Sequence, residues 1–201
     1  MNHSPADLLK TSLQQLPLVA ILRGLTPQEA PAIGHALVDA GFMLLEVPLN
    51  SPRPLDSIGA LSAQHPQRLI GAGTVMSASD VRDVHAAGGR IVISPHFDAQ
   101  VVHEALRLGM ACMPGVATPS EAFAALRAGA HALKLFPAEM IGPPVVKALR
   151  AVLPASVPLL PVGGISPDNM AAYRLAGASG FGIGSALYRP GQSAQATHSA
   201  A

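Results

Sequence analysis

Short apolar runs recur along the chain at intervals of roughly 20 to 26 residues, the length of one strand plus one helix joined by tight loops. Eight such runs read LVAILRG (18–24), LLEVPLN (44–50), LIGAGTV (69–75), IVISPH (91–96), ACMPGV (111–116), ALKLFPA (132–138), PLLPVGGI (158–165) and FGIGSAL (181–187). The segments between them carry helical spacing instead. Val101, Val102, Ala105 and Leu108, for example, fall on one face of a 3.6-residue repeat. Thr26-Pro27, Thr118-Pro119 and Ser166-Pro167 each pair a hydroxyl N-cap with a proline suited to the first helical position. Gly41, Gly88, Gly109, Gly129 and Gly177 stand where the helices should stop.

Eight strand-helix alternations predict an α/β fold, a parallel (β/α)8 TIM barrel, with a doubly wound open sheet as the alternative. Residues 1–201 are expected to form one domain, because the length suits a single core. After the eighth run only RPGQSAQATHSAA (189–201) remains, a polar tail too short and too weakly periodic for a full closing helix. The final helix is therefore expected to be short or missing.

Composition narrows the partners. Hydrophobic residues make up 49% of the chain and charged ones 12%, yet no apolar stretch approaches the roughly 20 residues of a membrane span. The start, MNHSPADLLK, is polar and lacks the apolar centre of a secretory signal, and the single cysteine, Cys112, has no partner for an internal disulfide. A cytoplasmic location is the expectation. With a formal charge of +1 and no Lys/Arg cluster, neither nucleic acid nor an anionic membrane is favoured, and a small molecule is the better partner.

The sixth run contains the most informative residue. Lys134 sits inside a segment short and apolar enough to be a buried strand. Burying an ammonium costs several kcal/mol unless it is paired or gives up its proton. A neutral amine can attack a ketone to form a Schiff base, whereas a charged one would need a structural ion pair. Strand alternation suggests a partner for either role. If Lys134 points inward, Leu133 and Leu135 face the helices; the same rule on the second strand turns Leu45, Val47 and Leu49 outward and Glu46 inward. Glu46 and Lys134 would then share one interior, as an acid/base beside a Schiff-base lysine or as a buried ion pair.

Arg23 ends the first strand with the inward parity of Val19 and Ile21, and its guanidinium suits a carboxylate. Thr74, inward on GAGTV by the same count, could add a hydroxyl to that carboxylate or be satisfied locally. Gly163-Gly164 and Gly182-x-Gly184-Ser185 end the last two strands, where barrels commonly bind phosphate through backbone N–H groups and the start of a short helix. Neither glycine run completes G-x-G-x-x-G, so a dinucleotide is poorly supported. The eight histidines form no zinc pattern, no metal is expected, and His96 reads as a loop residue near the functional face.

Taken together, AILRG (20–24), EVPLNSP (46–52), GAGTV (71–75), ISPH (93–96), MPGVATPSEA (113–122), LKLFPAE (133–139), VGGISPDN (162–169) and GIGSALY (182–188) resemble, in order, the signatures of the class I aldolases of the 2-keto-3-deoxy-6-phosphogluconate/6-phosphogalactonate family. The resemblance spans about residues 16–193. It implies Lys134 as the Schiff-base lysine, Glu46 as general acid/base, Arg23 and Thr74 at the carboxylate, and Gly163, Gly164, Gly184 and Ser185 around a phosphate. Pro95 and Phe136 would line the pocket. It further implies a homotrimer without metal or organic cofactor, acting on a phosphorylated keto-deoxy sugar acid and releasing pyruvate and glyceraldehyde 3-phosphate. EVPLN, with Asn50 where gluconate enzymes more often carry arginine, and Val162, where they typically carry threonine, resemble the galactonate branch. A Val in place of Thr removes a hydrogen-bond partner near the carbon at which the two epimers differ. Gluconate specificity, a non-catalytic phosphosugar-binding barrel and a barrel isomerase or epimerase are the alternatives. Family members usually continue into a helix packed on the barrel, so the short tail puts stability and assembly in question.

Overall fold

The computed structural model describes residues 4–201; Met1–His3 of the polar start lie outside the described residues. The order is α1 (Pro5–Gln15), β1 (Leu18–Ile21), α2 (Ala30–Asp39), β2 (Leu44–Pro48), α3 (Pro54–Gln64), β3 (Leu69–Gly73), α4 (Ala78–Ala86), β4 (Ile91–Ile93), α5 (Ala99–Arg107), β5 (Ala111–Met113), β6 (Gly115–Val116), α6 (Pro119–Arg127), β7 (Leu133–Leu135), α7 (Pro143–Val152), β8 (Leu159–Pro161), α8 (Pro167–Leu175), β9 (Phe181–Ile183) and α9 (Ala194–Ala200). Each of the eight apolar runs supplies strand. The fifth supplies two, because Pro114 has no N–H for a sheet ladder.

All strand pairs are parallel. Six strands form one sheet in the order β5-β4-β3-β2-β1-β9, and three form a second, β6-β7-β8. Pro114 is the first junction between them: Met113 on one side pairs with β4, while the Pro114 carbonyl accepts the Lys134 N–H at 3.0 Å on the other. A single parallel bridge, Val162 to Gly182, links the far ends.

Two apolar layers cover the strands. Leu45, Val47, Ile70, Val92, Leu133, Leu135 and Leu159 pack outward against Leu37, Ile58, Val84, Val101, Val102, Ala105 and Leu149 of the surrounding helices. Val19, Leu44, Leu69, Ile91, Ile93, Met113 and Leu160 form a separate inner cluster with Leu9 of α1, which covers the strand beginnings. The expected alternation therefore holds on β1, β2 and β7. Leu49 is partly buried against the outer layer.

Thr118 and Ser166 are N-caps with proline following, as expected, and each also completes a capping box, at the starts of α6 and α8. Thr26 differs: it trades box hydrogen bonds with Glu29, but α2 begins only at Ala30. Pro31 has no N–H to bond the carbonyl four residues back, which leaves the segment from Thr26 as a turn. The five glycines named as helix stops all take positive φ; at Gly41 (φ 97°) the Phe42 N–H closes on the Leu37 carbonyl at 2.9 Å. The tail is ordered rather than irregular. α9 is short, seven residues, capped by Ser193 and packed on α2 with Thr197 fully buried, so the final helix is present where its weak periodicity left it in doubt. Its polar sequence hides the face because the residues turned inward are Thr197 and the partly buried Ala194.

Candidate active site

A cleft of about 340 Å³ opens at the C-terminal ends of the strands. Lys134 and Glu46 both line it, and both are buried, at 6% and 2% exposure. β7 holds Lys134 between Gly115 and Leu160, and β2 holds Glu46 between Ile21 and Gly71. No direct ion pair joins them: Glu46 Oε2 is buried with no hydrogen-bond partner among the described residues. Instead, the Lys134 Nζ lies 4.7 Å from the centre of the Phe136 ring.

Such an arrangement favours neutral forms. Burial pushes the Glu46 carboxyl up to about 7, against the opposing pull of Lys134 and Arg23. Burial likewise holds the Lys134 amine below its ordinary value; Glu46 opposes that shift and Arg23 adds to it. Gly73 leaves the room this carboxylate occupies, since a β-carbon there would collide with Glu46. The pair thus offers an amine biased toward its nucleophilic form and a carboxyl poised near neutrality to give and take protons.

The other expected residues divide. Arg23 lines the cleft and donates through Nη1 to Asn50 Oδ1 at 3.0 Å. Val162, Gly163, Gly164, Gly184, Ser185 and Phe136 line it as well. Gly163 (φ 113°) follows β8 in a left-handed conformation that a side chain would strain, with the exposed Glu139 carboxylate against it. A turn over Ser185–Leu187, not a short helix, follows β9; the Ser185 and Ala186 N–H groups have no backbone acceptor there. Thr74 and Pro95 are not among the lining residues. Thr74 lies just past β3, half-buried at φ 57°; Gly71 and Gly73 hold the inward positions beside Glu46, so alternation assigns Thr74 the outward parity and the inward expectation is a miscount. Pro95 is instead set against Gly115, with its carbonyl where a β-carbon would go. His96 is exposed, and no group of three or more His, Cys, Asp or Glu among the described residues is placed to hold a metal.

Sequence reasoning missed Tyr188, Arg189 and Pro190, which also line the cleft. The segment from Arg189 onward reads as a polar tail, yet the turn after β9 folds it back over the end of β1. Burial and the nearby Glu29 carboxylate push the Tyr188 hydroxyl up to about 12. The proximity of Tyr188 and Arg189 to the glycine-serine run was the available signal.

The profile of the KDPG and KHG aldolases matches residues 9–197. The chain belongs to that family. Within it, the chain is 47% identical over 184 residues to the 2-dehydro-3-deoxy-6-phosphogalactonate aldolase of Escherichia coli K12, covering 91% of this chain and 90% of the relative. It superposes on a solved native KDPGal structure with a TM-score of 0.90 at 46% identity, covering 92% of this chain and 90% of that one. A KDPG aldolase from Legionella pneumophila, solved with pyruvate captured as a covalent carbinolamine, gives a TM-score of 0.80 at 31% identity over 91% of this chain and 87% of that one. The cleft at the strand ends is therefore that of an aldolase-family chain. Among the described residues no helix is long and apolar enough to cross a membrane.

Proposed function

We propose that this chain is a class I aldolase that cleaves 2-dehydro-3-deoxy-6-phosphogalactonate to pyruvate and glyceraldehyde 3-phosphate through a Schiff base on Lys134. The observation that carries the reading is the buried, unbridged pair of Lys134 and Glu46 in one cleft, each biased toward its neutral form. The Lys134 amine adds to the C2 ketone. Glu46, directly or through a water, protonates the departing C2 hydroxyl, which leaves as water and gives an iminium. Glu46 then accepts the C4 hydroxyl proton as the C3–C4 bond breaks; the aldehyde departs, and the bond's electrons enter the iminium to form an enamine. Protonation at C3 and hydrolysis release pyruvate and regenerate the amine.

Arg23 binds the carboxylate in this reading. Thr74 assists it: a β-branched residue at φ 57° is strained, and strained positions gather at functional sites. Gly163, Gly164, Gly184 and Ser185 surround the phosphate. Val162, 6% exposed and without a polar group, selects the galactonate epimer by withholding a hydrogen bond from the gluconate one. The two sheets, joined through Pro114 and the Val162–Gly182 bridge, are read as one closed (β/α)8 barrel domain spanning the chain. It works as a homotrimer in the cytoplasm.

Borohydride reduction with pyruvate should fix the pyruvate carbons on Lys134, and not on the exposed Lys10 or Lys147. Absence of an adduct would leave a phosphosugar-binding or isomerase role. Comparison of kcat/KM for the two C4 epimers then tests specificity: preference for the gluconate epimer would keep the mechanism and overturn the role of Val162.

A further inference from the structure

Four charged side chains line the cleft: Arg23, Glu46, Lys134 and Arg189. A lysine that attacks a ketone does so as the neutral amine, so the permanent positive charges there are the two arginines. The substrate of the aldolase reading carries two anionic groups at opposite ends, a carboxylate beside C2 and a phosphate on C6. Arg23 acts electrostatically on both Glu46 and Lys134, which puts it at the reacting end. Arg189 has no such influence on either residue. It stands with the Gly184-Ser185 turn, where its Nε donates to the Ser185 carbonyl at 3.2 Å. No carboxylate pairs with it among the described residues, and both terminal nitrogens are unengaged.

We infer that Arg189 is the cationic clamp for the phosphate of the substrate. Hung by Nε from the turn, its guanidinium presents two parallel donors to two phosphate oxygens, the geometry for which arginine is suited. The segment that carries it is anchored from three sides. Glu29 accepts the Gly191 N–H at 3.2 Å while holding Thr26 through its other oxygen. Gln192 donates to the Leu187 carbonyl at 2.9 Å and to Thr197 of α9 at 3.1 Å. Pro190 lies against Gly24, where a β-carbon would come within 2.6 Å of its ring. The short last helix thereby positions a charge in the cleft, which gives the polar tail a role in binding.

The inference rests on the aldolase reading, and its test separates the two. Arg189→Met should lower kcat/KM for the phosphorylated acid about 10- to 100-fold, mostly through KM, and should weaken competitive inhibition by inorganic phosphate by a similar factor. Arg189→Lys should recover part of both, as a point charge without the fork. Borohydride trapping of pyruvate, which has no phosphate, should match the wild type. Unchanged KM and phosphate inhibition in Arg189→Met would overturn the clamp, as would a fall in pyruvate trapping in step with cleavage. Failure of the aldolase reading would appear in the wild type itself, as untrapped pyruvate. Titration calorimetry with inorganic phosphate would then still decide the clamp, since equal affinity in wild type and Arg189→Met overturns it.

Discussion

The inner face of the strands differs between its two ends. At the beginnings, Leu44 and Ala132 join the apolar cluster that Leu9 of α1 covers; two residues further along the same face stand Glu46 and Lys134. Residues two apart on a strand point the same way, so direction alone does not separate them. Burial does not either, since all four are 6% exposed or less except that Glu46 and Lys134 carry charge-bearing groups. What differs is the end of the strand they approach: one is sealed by a helix, the other opens to a cleft bordered by glycine turns and two arginines. One stable scaffold thus bears the cost of a second layer that favours unusual protonation states over stability.

That division can be broken at either end. The largest effect is expected for Lys134→Ala, which should lower turnover at least about 10⁴-fold and abolish the reduced pyruvate adduct while the fold survives. An adduct persisting on Lys10 or Lys147 would reassign the nucleophile. Glu46→Gln should follow with a fall of about 10²- to 10⁴-fold in turnover and little change in substrate affinity, and an unchanged rate would remove its proton-transfer role. At the sealed end, Leu9→Ala should cost about 2 to 5 kcal/mol in denaturant unfolding and leave kcat per folded molecule within about twofold. A collapse of kcat there would mean that the two ends are not independent.

The smallest effect sharpens the contrast through pH. The folded-state pKa of Glu46, about 7, lies above the ordinary 4.5, so the folded state favours the protonated acid. Its contribution is fully present below about 4.5 and is lost as pH rises through 7. Glu46→Gln removes this loss. The stability of the variant relative to wild type should therefore grow by about 2 kcal/mol between pH 5 and pH 8 in paired denaturation curves. A constant difference would mean that Glu46 is not held protonated by burial.

Much of this was legible in the chain itself. Apolar runs, hydroxyl-proline caps and terminal glycines determined the strands, most helices and their ends, because these signals act over a few residues. Period-2 alternation was enough to set Lys134 and Glu46 on the inner face, opposite Leu133, Leu135, Leu45 and Val47. The same rule, counted from Leu69 through Gly71 and Gly73 on the inner face, turns Thr74 outward, so expecting it inward is an error of parity. Tertiary structure alone decided three things. It made Pro114 the point where the chain passes from one sheet to the other, because a missing N–H matters only once partners are chosen. It shifted Glu46 and Lys134 by desolvation, a property of everything packed around them. It brought Arg189 beside residues more than 20 positions away, helped by the Gly191 N–H donating to Glu29 at the other end of the chain, which no local pattern encodes.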